Sequence, residues 1–143
     1  MMSDPELIKV ALRMKDDGNV RFKAQKFKEA EGFYRDSLAH LETVKNDNKE
    51  LKELKKTVLI NIAIVCNKTG DYKEALIIST KALDLDDKAV KALYQRALAQ
   101  SKLHQYDEAI TDIKEAIKLN PTDKNLRDEF EKIKELRRKT NES

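Results

Sequence analysis

Proline occurs twice and glycine three times in these 143 residues, tryptophan is absent, and aromatic residues make up 6%. Those residues punctuate turns and fill sheet cores, so their scarcity argues against an all-β fold and for a nearly all-helical one. A single cysteine, Cys66, excludes an internal disulfide framework and fits a reducing compartment. The two histidines, His40 and His104, fall at a helix end and a turn, with no metal-ligand spacing. No apolar run approaches bilayer-spanning length, and the N-terminus lacks a signal-peptide core. Nor does one sign of charge prevail. The 29 basic and 26 acidic residues are interspersed, and a net charge of +3 gives no large positive field of the kind that draws nucleic acid. The expectation is a single cytoplasmic helical domain that needs no cofactor or metal and binds neither nucleic acid nor membrane.

What the chain has instead is a repeated pattern. Phe27-Lys28-Glu29-Ala30, Tyr72-Lys73-Glu74-Ala75 and Tyr106-Asp107-Glu108-Ala109 are each followed, seven positions after the Ala, by a small residue: Ser37, Ala82 and Ala116. The aromatics at 72 and 106 lie 34 residues apart, the period of helix–turn–helix units that stack into a solenoid. The predicted units span about 11–44, 55–88 and 89–121, with a capping helix over about 122–139. Between Phe27 and Tyr72 the spacing grows by eleven residues, close to three helical turns, so the apolar faces stay in phase. That insertion, 45–55, is expected to lengthen both adjoining helices, with a turn near 46–48, and to project beyond the solenoid body.

Local signals set the boundaries. Ser3-Asp4-Pro5-Glu6 reads as a helix start with a capping box, and Gly70 as a left-handed helix cap. Gly18 weakens a helix by about 1 kcal/mol, so its presence implies a close approach by a partner helix. Ala30, Phe33, Tyr34, Ser37, Leu38 and Leu41 form the inner stripe of the second helix. In the last helix Leu126, Phe130, Ile133 and Leu136 face inward, and the basic run 132–139 is solvated surface.

The Tyr-x-x-Ala and Gly-Asp-Tyr motifs resemble the tetratricopeptide repeat over residues 11–121. Three repeats, a lengthened first pair and a long terminal helix are similar to the C-terminal domain of the large immunophilins and of aryl-hydrocarbon-receptor-interacting co-chaperones. The resemblance implies an all-α right-handed superhelical stack whose first helices line a groove. It also implies a partner: the acidic C-terminal Glu-Glu-Val-Asp peptide of ninety- or seventy-kilodalton heat-shock chaperones. Lys15, Asn19, Asn61 and Lys91 match four members of that family's five-residue carboxylate clamp. At the fifth place, where most clamps carry Arg, this chain has Gln95, and the Arg comes one position later, at Arg96. A neutral amide in place of a charged fork lowers affinity by roughly 1–2 kcal/mol, about one decade. Arg96 is rotated about 100° from Gln95 around the helix and is not expected to substitute.

Spacing extends the face on which the resemblance places the clamp. Spacings of three and four put Phe22, Ile64, Tyr94 and Leu98 on the faces that carry the clamp residues, where they would accept aliphatic side chains. Asn61 interrupts the apolar run Val58-Leu59-Ile60-Asn61-Ile62-Ala63-Ile64, and a polar group there needs a partner, which a bound carboxylate or a neighbouring helix could provide. Cys66 reads as a small core residue. With no His-containing dyad and no Gly-rich phosphate loop, the expectation is a non-enzyme, and the resemblance implies that it tethers an attached isomerase domain or a client to a chaperone. The alternative is a scaffold whose groove or extended helices hold an internal peptide or partner helix without a clamp.

Overall fold

The computed structural model describes residues 1–142 and, among them, seven α-helices and no strand. They are α1 (Asp4–Lys23), α2 (Phe27–Thr43), α3 (Lys49–Thr69), α4 (Tyr72–Leu85), α5 (Val90–Lys102), α6 (Tyr106–Leu119) and α7 (Lys124–Glu142). The principal contacts join α1 to α2, α3 to α4 and α5 to α6 as hairpins, and α2–α3, α4–α5 and α6–α7 as the joints between them.

The repeated small residues are where the helices meet. Ala30, Ala75, Ala109, Ser37, Ala82 and Ala116 are all fully buried, as are Ala11, Ala63 and Ala97 on the opposing helices. Small side chains let helix axes approach closely, and Leu, Ile and Val between the alanines fill the remaining space. Ser37 satisfies its buried hydroxyl by donating to the Ala11 carbonyl at 2.7 Å.

All three intra-hairpin turns share one geometry. Gln25, Gly70 and His104, each two residues before its aromatic, have φ of 61°, 85° and 62°. The N–H groups of Lys26, Asp71 and Gln105 then return to the carbonyls of Arg21, Cys66 and Gln100 at 2.8–2.9 Å. This is the left-handed helix stop, and only Gly70 adopts it without a Cβ penalty. At the N-terminus Ser3 Oγ accepts from Glu6 N–H at 3.3 Å, and its own hydroxyl donates to the Glu6 carboxylate at 2.9 Å.

The eleven-residue insertion is not shared evenly. α2 has 17 residues against 14 in α4 and α6, whereas α3 has 21 against 13 in α5. Nor does the lengthened end stand clear of the body. Val44 and Leu51 are buried, and the Asp4 carboxylate accepts from the N–H groups of Lys45 and Asn46 at 3.1 and 3.0 Å. These two backbone bonds hold Asp4 below the usual carboxylate range. They also stop α2 at Thr43 by giving the next N–H groups a partner outside the helix.

On α7, Leu126 and Ile133 are buried and Phe130 packs on the core, but Leu136 is exposed, against expectation. Leu136 lies beside the first turn of α6, where the wall it packs on ends. Arg137 meets Asp107, in the first turn of α6, at 3.1 Å. No helix among the described residues is long and apolar enough to cross a membrane, and no group of His, Cys, Asp and Glu there could hold a metal ion.

Candidate peptide-binding groove

α1, α3 and α5 line three adjoining cavities that share one side chain, Ile64. The first lies between α1 and α3 and is bounded by Asn19, Phe22, Tyr34, Asn61 and Ile64. The second, about 440 Å³, runs along α3 to the start of α5, past Thr57, Ile60, Asn61, Ile64, Lys88 and Lys91. The third, about 320 Å³, lies between α5 and α7 and is bounded by Ile64, Val90, Lys91, Tyr94, Gln95, Asp123, Asn125 and Leu126. Asn61 belongs to the first two cavities and Lys91 to the last two, so the depression is continuous across the repeats.

Of the residues singled out from the sequence, Asn19, Phe22, Asn61, Ile64, Lys91, Tyr94 and Gln95 thus border one groove. Lys15 is half-buried one turn before Asn19 on α1, and Leu98 is half-buried one turn after Tyr94 on α5. Residues four apart share a helix face, so both sit on the groove-facing rows.

The polar groups are held by specific supports. Tyr34 donates its hydroxyl to Asn19 Oδ1 at 2.6 Å, and its ring lies against Gly18, where an added Cβ would come within 2.7 Å of ring carbons. The Asn19 carbonyl is thereby occupied, which leaves its NH₂ as the group offered to the groove. Burial pushes the Tyr34 hydroxyl above its ordinary range, so it stays a donor at neutral pH.

Gln95 is restrained differently. Asn67 Nδ2 donates to Gln95 Oε1 at 2.8 Å and to the Gln95 backbone carbonyl at 3.0 Å. The Gln95 carbonyl is therefore occupied and its NH₂ remains as a neutral donor. Arg96 does not take over the missing charge. It forms a two-pronged pair with Asp112 at 2.7 and 2.8 Å, with Thr80 Oγ1 at 3.4 Å, and so links α4, α5 and α6 in the core.

Charge is uneven along the groove. In the second cavity Lys56 is paired with Asp86 and Glu53, both at 2.9 Å, leaving Lys88 and Lys91 as exposed cations there. Asp123 and Lys91 both line the third cavity. Cys66 is fully buried and its thiol is pushed up to about 11 by burial, which suits a core residue and not a nucleophile.

Three contributors were not evident from the sequence. Tyr34 read only as core; the sign of its second role is the pairing of a ring-accommodating Gly18 with an adjacent Asn19. Asn67 falls outside the spacing that marks the groove row, and Asp123 reads as an ordinary residue of the turn before α7.

Comparison with known proteins agrees with this architecture. Residues 57–88 and 90–123 each match a family model described as the tetratricopeptide repeat. The C-terminal domain of a Plasmodium falciparum FK506-binding protein, described as TPR-containing, superposes with a TM-score of 0.87 at 28% identity, over 99% of this chain and 97% of that one. The myosin chaperone UNC-45 from C. elegans, in complex with an Hsp90 peptide, gives 0.78 at 31% identity over 88% of this chain, which spans 13% of UNC-45. The second TPR domain of human RPAP3, in complex with the HSP70 peptide SGPTIEEVD, gives 0.75 at 29% identity over 88% of this chain and 96% of that one. With the repeats in sequence, the stacked hairpins and these similarities in agreement, the chain belongs to the tetratricopeptide-repeat family.

Proposed function

We propose that this domain is a non-enzymatic, cytoplasmic co-chaperone adaptor whose groove binds the acidic C-terminal peptide of a ninety- or seventy-kilodalton heat-shock chaperone. The observation that carries this reading is that Asn61 borders both the cavity of Asn19 and the cavity of Lys91, so the amides and the cation can reach one short ligand. Similarity to TPR domains solved with Hsp90 and HSP70 peptides supports the same class of partner. Lys15, Asn19 and Asn61 would take the terminal carboxylate, whose two oxygens accept several donors at once. Lys91 would take the carboxylate of the last Asp side chain, and Gln95 would add one neutral donor. Phe22, Ile64, Tyr94 and Leu98 would accept the aliphatic side chains between the acidic ones. Binding of this kind tethers whatever is attached to the domain.

The test is calorimetric titration with Met-Glu-Glu-Val-Asp and with its C-terminally amidated twin. A micromolar constant, about −7 to −8 kcal/mol, lost on amidation and in Lys91→Ala, is the expected outcome. Equal affinity for both peptides, or none for either, would refute the clamp. It would favour a scaffold groove for an internal peptide, a reading to which the uncharged Gln95 and the nearby Asp123 lend their weight.

A further inference from the structure

The third cavity has a different chemistry from the first two. Where an Arg would complete a clamp, Gln95 contributes no charge, and its carbonyl is tied to Asn67. Across from it, from the segment leading into α7, comes Asp123. One oxygen of that carboxylate accepts from Asn125 N–H at 2.9 Å. Glu129, one turn into α7, has a side chain only 11% exposed, with Lys132 Nζ at 4.0 Å on its outer side. Asp123 and Glu129 both raise the Tyr94 hydroxyl, after burial itself, so the aromatic wall of the cavity lies in a negative field. Lys91 marks the border with the basic part of the groove. The charge pattern therefore shifts along the depression: in the second cavity Glu53 and Asp86 are taken up by Lys56, which leaves Lys88 and Lys91 exposed, whereas past Lys91 the third cavity adds the Asp123 carboxylate and the Tyr94 ring.

Helix packing bounds the distance to that change. α3 and α5 pack directly, at about 8–10 Å, and α1 and α7 each lie at least one such spacing beyond them, so the gap between α5 and α7 is at least roughly 16–20 Å from the gap between α1 and α3. An extended chain advances about 3.3 Å per residue, so the shortest such span is about five or six residues. A peptide whose terminal carboxylate sits between Asn19 and Asn61 presents its fifth upstream residue to Tyr94 and Asp123.

We propose that the cavity formed by Tyr94, Gln95, Asp123 and Leu126 is a subsite for a basic side chain, so that the preferred ligand is an acidic C-terminal peptide with Lys or Arg about five residues before its terminal residue. This rests on the clamp reading above. A guanidinium suits the site best, since it can pair with Asp123, stack on the Tyr94 ring and accept the fully apolar floor of Ile64 and Leu126 against its stem. Gln95 then has a positive reason to be there: an Arg in its place would neutralise Asp123 and repel the incoming cation.

The experiment is calorimetry with Ala-Arg-Met-Glu-Glu-Val-Asp and two analogues carrying Gln or Glu in place of Arg, run beside Met-Glu-Glu-Val-Asp and its amide. The Arg peptide should bind about two- to fivefold more tightly than the Gln peptide, the scale of a partly screened ion pair, and the Glu peptide more weakly still. Asp123→Asn keeps the side-chain oxygen that caps Asn125, and Glu129→Gln keeps its shape. Each variant should shrink the ratio of Arg-peptide to Gln-peptide affinity, a readout that does not depend on any shift in the pentapeptide constant. Equal affinity for the three long peptides, with the pentapeptide still bound in an amidation-sensitive way, overturns the subsite and leaves the clamp intact. A preference that survives in the double variant overturns the assignment to this cavity. Loss of pentapeptide binding altogether overturns both.

Discussion

Replacing Gly18 with Ala tests the geometry behind Asn19. The added Cβ would lie 2.6 and 2.7 Å from Cε1 and Cδ1 of Tyr34, whereas carbon contacts settle at about 3.5–4.0 Å. The ring must therefore move by roughly 1 Å, but it is 2% exposed and its hydroxyl is held by Asn19. Overpacking of this kind costs about 1–3 kcal/mol, and so deep an overlap against a buried ring belongs at the upper end. Better helix propensity returns about 1 kcal/mol. The net loss is about 2 kcal/mol, which for a chain of this length lowers Tm by about 5–8 °C. Thermal and urea unfolding measure it, and peptide calorimetry should register a parallel loss as Asn19 is freed from its support. In a Tyr34→Leu background the overlap is gone, so Gly18→Ala should stabilise by about 1 kcal/mol. A rise in Tm on Gly18→Ala in the otherwise unchanged protein would refute the reasoning.

Other perturbations separate fold from groove. Arg96→Met should destabilise by about 2–3 kcal/mol in urea unfolding by leaving the buried Asp112 carboxylate unpaired, yet change peptide affinity little. Gln95→Arg should tighten Met-Glu-Glu-Val-Asp about tenfold by calorimetry and abolish any preference for an upstream basic residue. Gln25→Gly removes a Cβ from the left-handed turn before α2 and should raise stability by about 0.5–1 kcal/mol, read from the urea midpoint. Cys66, raised from 9.0 to about 11, carries about a hundredfold less thiolate at neutral pH than an unperturbed thiol and should resist alkylation until the protein unfolds. Because the folded value is the higher one, that thiol's contribution to stability is present below about pH 9 and is lost as pH rises towards 11.

The architecture was legible because its signals are local and repeated. An aromatic, an Ala three residues later and a small residue seven beyond that mark a helix packing face wherever they occur. Gly70 and Gly18 could be read one at a time, from a left-handed stop and a close approach. Gln25 and His104 could not, since nothing in their side chains announces a positive φ; the turn is imposed by the hairpins on either side. The halt of α2 at Thr43 depends on Asp4, some forty residues away, and the exposure of Leu136 depends on where α6 begins. In the groove, residues on the first helices followed from spacing alone. The bond of Asn67 to Gln95 and the cavity shared by Asp123 and Tyr94 join non-adjacent elements, and a spacing argument confined to one helix does not reach them.

Most contacts in this fold join a helix to its immediate neighbour in the chain; among the larger ones, only α3 with α5 skips a helix. Stability in such a stack is nearly one-dimensional, and the ends can open while the middle stays closed. The groove crosses that order, since its lining comes from α1, α3, α5 and the approach to α7. An occupant would bridge helices that otherwise meet only through intermediaries. Hydrogen exchange at the two termini would then slow together, and separate opening events would merge into one cooperative transition.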